Sequence, residues 1–404
     1  MKANKAQSNR VVLFVLLTFF IISFLTNILG ALNPSASLSF NLTETMAGFL
    51  PFSFFIAYGL MSIPAGILLE KYGQRKLLIT AFLMAFIGSG LFVLFPTFYV
   101  FLLSLFTIGS GMAILQVVIN PLLRVSGGEE HYAFNSVLGQ LCFGAAAFLS
   151  PYIYTKIISF DGFSGMFAHG LNWVLMYGLF SILSLLMVFV TLLLKFPEIE
   201  LKGDERMGSS DLFKRLIGER IVILYFLGIF AYVGTEQGIS YWMSKFLQNY
   251  HGFDFETIGA AAVGNFWGLM TIGGVFGLVL LKLFDSKLIL KIFTVITILC
   301  LALALFGSKN MALYGFQVCG FFMSVMYPII ISLALNSLQK NHGSFAGILM
   351  SGIMGGAIVQ LLIGFISDYS SLKVGMLVNF IGLVFILSIG IWAKPLISNK
   401  TVGK

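Results

Sequence analysis

One carboxylate stands apart from the others. Of sixteen Asp and Glu residues, fifteen fall in polar connections or at the ends of apolar runs, and Glu236 alone lies deep within one. It follows Arg220 by 16 residues, roughly 24 Å along a helix that rises about 1.5 Å per residue. A carboxylate in hydrocarbon must be protonated, paired or turned toward water, because bare burial is expensive. Glu236 therefore suits the coupling of an ion to a solute. The competing reading is a structural carboxylate bonded to a neighbouring helix. Amides and aromatic residues also interrupt the apolar runs. The first half has Asn27, Gln116, Asn120, Asn135 and Gln140; the second has Gln237, Tyr241, Trp242, Asn265, Trp267, Tyr327, Asn336 and Gln360. Amides donate to and accept from hydroxyl groups, and indole and phenol rings stack on sugar C–H faces. Together they point to a polyhydroxyl solute in a polar cavity, although each one alone is equally well explained by bonding between helices. No Arg or Lys is expected within the runs, which argues against an anion carrier.

These residues sit in a chain that is 58% hydrophobic and 10% charged, against about 25% charged in a soluble domain. A hydrocarbon layer roughly 30 Å thick needs about 20 apolar residues per helical crossing. Twelve such spans can be cut from the 404 residues: 11–32, 45–69, 76–95, 98–123, 132–156, 172–195, 220–246, 256–283, 288–307, 311–338, 344–366 and 373–393. The fold class is all-α integral membrane, with twelve transmembrane helices. The basic residues support the count. With a cytoplasmic N-terminus, 20 of the 24 Lys and Arg fall inside, and only Lys156, Lys245, Lys309 and Lys373 fall outside. Cationic residues near helix ends resist translocation, so this asymmetry sets the orientation, with both termini cytoplasmic. The net charge of +8 thus reflects topology, and no nucleic-acid partner is expected. The basic start before Val11 resembles a leader, but its apolar run is too long for one and reads as a retained first helix.

Residues 196–219 are too polar to cross a membrane. They carry Glu198, Glu200, Asp204, Glu205, Asp211 and Glu219 among basic residues. They divide the chain into an N-terminal six-helix bundle (1–195), a cytoplasmic linker (196–219) and a C-terminal six-helix bundle (220–404), with 211–219 suited to a short amphipathic helix on the membrane surface. The halves look weakly repeated: Ser23 to Gly30 and Ala231 to Gly238 each place a polar cluster before a glycine deep in an apolar run. Clustered glycines (Gly109, Gly111, Gly273, Gly274, Gly277, Gly352, Gly355, Gly356) suit close helix packing in lipid, and Pro64, Pro121, Pro151 and Pro328 suit kinks. Cys142, Cys300 and Cys319 show no paired or ligand spacing. The four histidines are expected in connections. No catalytic constellation, phosphate loop, metal site or cofactor is indicated.

Gly66-Ile67-Leu68-Leu69-Glu70-Lys71-Tyr72-Gly73-Gln74-Arg75-Lys76 resembles the major facilitator signature G-x-L-x-D-R/K-x-G-R-R/K, with Glu70 for Asp and Gln74 for Arg. The resemblance implies a cytoplasmic gate motif of Gly66, Glu70, Lys71, Gly73 and Arg75. More narrowly, the chain resembles the fucose–proton symporter family and its glucose/galactose transporter branch. The matching stretches are Ala57-Tyr58-Gly59 with Pro64-Ala65-Gly66, Gly111 to Pro121, Tyr232-Val233-Gly234-Thr235-Glu236, Phe266-Trp267-Gly268 with Gly273, Gly347-Ile348, and Gly355 to Val359. This implies two pseudo-symmetric bundles with a site between them near the midplane. Proton-coupled members carry an Asp on helix 1 and a Glu on helix 4, where this chain has Gly30 and Gln116; Gln is usual in the glucose/galactose branch. Two polar positions of helix 5 become Leu138 and Leu141, while Asn135 is kept. Any ion coupling then falls to Glu236.

The expected function is a transporter that imports a monosaccharide, a hexose or deoxyhexose, across a bacterial inner membrane by alternating access, coupled to Na⁺ or H⁺. Its expected partners are the sugar, the cation and the lipid bilayer, and a monomer is expected. The substrate set is Asn27, Gln116, Asn120, Asn135, Gln140, Gln237, Trp242, Asn265, Trp267 and Tyr327, with Glu236 for the ion. The alternatives are an uncoupled sugar facilitator or a transporter-like sugar sensor. A membrane enzyme would need paired acids at one face; the nearest, Glu129 and Glu130 beside His131, read as a solvated loop.

Overall fold

A computed structural model describes residues 5–127, 132–159, 171–197 and 210–396. Half of the linker (198–209), and Glu129, Glu130, His131 and His169, lie outside the described residues. Twelve helices are long and apolar enough to cross a membrane: α1 (Ser8–Phe40), α2 (Glu44–Tyr72), α3 (Gln74–Leu94), α4 (Phe98–Gly127), α5 (Asn135–Ile158), α6 (Asn172–Leu193), α7 (Arg220–His251), α8 (Phe255–Leu283), α9 (Ser286–Phe306), α10 (Lys309–Leu335), α11 (Gly343–Tyr369) and α12 (Leu372–Trp392). An even number of crossings returns both described ends to one face, here the near face; the α1–α2 and α11–α12 turns mark the far face. A short helix, Ser210–Ile217, precedes α7.

Helix ends follow local chemistry. Thr43 caps α2 by accepting from Met46 N at 3.2 Å, and Asp285 caps α9 by accepting from Lys287 N at 2.9 Å and Leu288 N at 3.2 Å. Such caps occupy backbone donors that have no partner within the helix. Gly73, at φ 77°, ends α2 in a conformation that a side chain would strain. The long faces are patterned for lipid. On α6, Ile182, Leu186, Phe189 and Leu193 point outward, while Ser184 and Thr191 are fully buried. On α9, Leu288, Ile292, Leu299 and Leu303 point outward over buried Thr294 and Thr297. Thr191, Thr294 and Thr297 each donate to the carbonyl four residues back, so inward polar groups need no water.

Packing repeats with an offset of six. The pairs α2–α4, α3–α4, α3–α6 and α1–α5 recur as α8–α10, α9–α10, α9–α12 and α7–α11. Across the seam between the halves, α2–α11 recurs as α8–α5, and the second half of α1 packs on α7. The weak repeat in the sequence is thus a repeat of helix packing.

Three helices are interrupted mid-span: α1 at Asn27 and Ile28, α10 at Ser324 and Val325, and α11 by a 3-10 turn at Gly352–Met354. In α10 the cause is Pro328, which has no N–H to offer the carbonyl four residues earlier, at Ser324. Pro64, Pro121 and Pro151 lie within continuous helices. Two expectations are corrected. The first span runs on to Phe40 rather than ending at 32, because Asn33, Ser35 and Ser37 are buried against neighbours and are not a polar loop. The seventh runs to His251 rather than ending at 246, so His251 closes a helix instead of sitting in a connection.

Candidate functional site

A cavity of about 410 Å³ opens on the near face between α2, α4, α10 and α11. Tyr58, Ser62, Gln116 and Asn120 supply its polar wall, with Glu70 and Arg124 nearer the near-face ends of α2 and α4. Ala346, Gly347 and Met350 bring α11 to the opposite wall. Gln116 and Asn120 lie one turn apart, and Asn120 Nδ2 donates to the Gln116 carbonyl at 3.3 Å. That leaves the Gln116 side chain on the cavity wall.

Beyond Tyr58 a row of hydroxyls crosses the seam. Thr26, beside the α1 break, lies near Tyr58 and donates its own hydroxyl to the Ile22 carbonyl at 2.7 Å. Tyr327, on α10, turns its hydroxyl toward Met350 Sδ, 3.5 Å away, and Met350 lines the cavity. The Tyr327 ring centre is 5.7 Å from that of Tyr232. The Tyr232 hydroxyl donates to Glu236 Oε1 at 2.7 Å and also lies 3.3 Å from the carbonyl of Met323, at the α10 break. Tyr232 and Glu236 are four residues apart and so share a helix face. Glu236 is half-buried at the inner end of this row. Among the described residues no cluster of His, Cys, Asp and Glu could hold a metal.

The far side is sealed. Gly30 packs on the Ser240 and Tyr241 backbone, Gly48 on Gln360 and Leu361, Gly364 on Glu44, and Gly144 on Thr271. Each contact joins one half to the other; an added Cβ would collide at Gly30, Gly364 and Gly144 and be tightly crowded at Gly48. Polar bonds reinforce it. Lys245 Nζ meets Glu44 Oε2 at 2.7 Å and donates to Ser37 Oγ at 3.2 Å. Asp368 accepts from Glu44 N at 2.7 Å and Thr45 N at 2.9 Å, capping α2 from across the seam. The Tyr241 hydroxyl donates to the Ala47 carbonyl at 2.6 Å, and Asn33 Nδ2 donates to the Tyr241 carbonyl at 3.3 Å.

The residues singled out in the sequence divide three ways. Gln116 and Asn120 line the cavity, Tyr327 reaches it at Met350, and Glu236 is linked to Tyr327 through Tyr232. Asn27 sits at the α1 break, 3% exposed, donating to Ser23 Oγ at 2.9 Å. Asn265 accepts from the Tyr152 hydroxyl at 2.9 Å in the α5–α8 seal, and Trp267 is buried beside it in sequence. Gln237 and Trp242 are buried on α7. Asn135 lies against Gly127 near the near-face ends of α4 and α5. Gln140 is exposed one turn below Gly144, on the same face of α5. In the motif, Gly66 and Glu70 line the cavity, Lys71 lies over the Tyr72 ring, and Arg75 donates to the Leu192 carbonyl. Gln74, the departure from the signature, donates to the Pro197 carbonyl and so also ties α3 to the end of α6.

Two cations bear on the expectation of apolar runs free of Arg and Lys. Lys245 is 8% exposed inside α7, and Arg124 lines the cavity from α4. Sequence reasoning also missed Tyr58, Tyr232, Glu44 and Asp368 as site or seal residues. Tyr232 carried a signal in its four-residue spacing from Glu236; the seal residues carried none, since their partners are 201 and 324 positions away.

Comparison with known proteins decides the family. The model of the Major Facilitator Superfamily matches residues 15–359. The chain belongs to the Major Facilitator Superfamily. Within this superfamily it is 28% identical to the glucose/galactose transporter of Brucella abortus, over 93% of this chain and 92% of that one. It is 28% identical to the L-fucose-proton symporter of Escherichia coli, over 87% and 85%. The crystal structure of that E. coli fucose:proton symporter superposes with a TM-score of 0.69 at 23% identity, over 95% of this chain and 98% of that one. The superfamily's two pseudo-symmetric six-helix bundles are thus the fold of this multi-pass membrane protein. The relatives named here are transporters, not enzymes.

Proposed function

We propose that this protein imports a monosaccharide across a bacterial inner membrane by alternating access, driven by Na⁺ or H⁺ through Glu236. The residues 1–195 and 220–404 are the two moving bundles, joined by 196–219. The near face is cytoplasmic, because that assignment puts 20 of 24 basic residues inside. The observation that carries the reading is the one-sided cavity. It runs from the near face to a neutral wall of Tyr58, Gln116 and Asn120, and the opposite side is closed by packing between the bundles. That is the geometry of an inward-open carrier. The wall can exchange hydrogen bonds with hydroxyls and offers no fixed charge to an anion near Gln116. The names of the relatives favour a hexose or deoxyhexose. The motif residues Gly66, Glu70, Lys71, Gly73 and Arg75 serve the cytoplasmic gate.

Purified protein in proteoliposomes tests this. Uptake of a labelled hexose, competed by unlabelled sugars with and without a Na⁺ or pH gradient, is expected to be saturable and concentrative. Glu236→Gln is expected to abolish accumulation against a gradient while leaving exchange. Unchanged accumulation removes Glu236 from coupling; no uptake of any hexose removes the sugar reading.

A further inference from the structure

Gln360 is fully buried on α11, and neither its Oε1 nor its Nε2 has a hydrogen-bond partner. A buried amide without partners is unfavourable and calls for a reason. Its position supplies one. Gly356, Gln360, Gly364 and Asp368 follow at intervals of four and share the face of α11 that packs on α2. Gly356 meets the Phe55 ring, Gly364 meets Glu44, and Asp368 caps the α2 terminus. Opposite Gln360 itself is Gly48, whose Cβ would lie 3.0 Å from the Gln360 carbonyl. One long polar side chain therefore sits in a seam otherwise built for close backbone approach. It is also at the level of Glu236. Gly234 of α7 meets Val359, and Gly238 meets Ile363, so Glu236 and Gln360 lie between the same two contacts.

We infer that Gln360 is a sugar-binding residue of the outward-open form, a role that rests on the transport function proposed above. When α2 and α11 part on the far side, the amide faces the new vestibule at the depth of Glu236 and exchanges hydrogen bonds with a sugar hydroxyl. When the far side closes, α2 covers the amide and withdraws it from the substrate. Binding is thus stronger from the far side than from the near side, and release inward is favoured.

The test is sided kinetics with a series of singly deoxygenated hexoses. Gln360→Leu is expected to raise the KM for influx from the far side roughly tenfold, the scale of one hydrogen bond. KM for efflux from the near side should stay within about twofold, since the amide is unused there. Wild-type influx should discriminate against one deoxy sugar, and that discrimination alone should vanish in Gln360→Leu. Gln360→Asn, which keeps the amide, should retain part of it and guards against a folding defect in the leucine variant. If the leucine variant transports with unchanged influx KM, or weakens all deoxy sugars equally, the inference is overturned and the carrier reading stands. If wild-type protein takes up no hexose, both fall.

Discussion

The seam between the bundles has two unlike halves. On the far side the backbones of α1 and α7, α2 and α11 meet through glycine, and a cap and an ion pair reach across. On the near side the same bundles stand apart around a cavity whose wall still holds Gly66, Gly343 and Gly347. Small residues are therefore present on both sides, yet only one is closed. Glycine permits contact; the polar bonds between halves help decide where contact is made. In lipid, where apolar surface gains little from being covered, van der Waals fit and hydrogen bonds carry such a seam.

Breaking the far-side ion pair should have the largest effect. Lys245→Ala leaves Glu44 partly buried without its cation, and removing one partner of a buried pair costs about 3–5 kcal/mol. Thiol labelling of Ser37→Cys, in a background lacking Cys142, Cys300 and Cys319, should rise sharply as the far side opens. Replacing both partners together (Glu44→Gln with Lys245→Met) should restore low labelling, because a neutral pair leaves no orphan charge. A smaller effect is expected at Gly364→Ala, whose Cβ would lie 2.3 Å from the Glu44 carbonyl oxygen. Overpacking of this kind costs about 1–3 kcal/mol, and labelling should increase. Gly274→Ala is the contrast: nothing lies within 4 Å of the added Cβ, so labelling should not change. Asp368→Asn should be milder, because a carboxylate at a helix N-terminus contributes about 0.3–1 kcal/mol. A few-fold rise in labelling is the expected readout. If Gly364→Ala and Gly274→Ala behave alike, the steric difference between the two positions is not what holds the far side shut.

Much of the fold could be read from the chain because lipid imposes a simple rule. A crossing needs a long apolar run, and cations mark its inner end, so all twelve spans match helices with small errors at their ends. The larger errors have one cause. Asn33, Ser35 and Ser37 looked like loop residues and Lys245 looked external, yet each is buried against the other half or its own bundle. Polarity along one strand of sequence cannot tell water from a partner helix. Gln116, Asn120 and Glu236 stood out because they interrupt apolar runs. Tyr58 and Tyr232 did not, since an aromatic residue is at home in a membrane helix. The α10 break was foreshadowed by Pro328, whereas nothing of that kind marks the break in α1 at Asn27.

The hydroxyl of Tyr232 has a single hydrogen and two acceptors within reach, Glu236 Oε1 and the Met323 carbonyl. It can serve only one of them at a time. The rotation of that one bond therefore selects which of two helices receives the hydrogen, the α7 carboxylate or the unwound turn of α10.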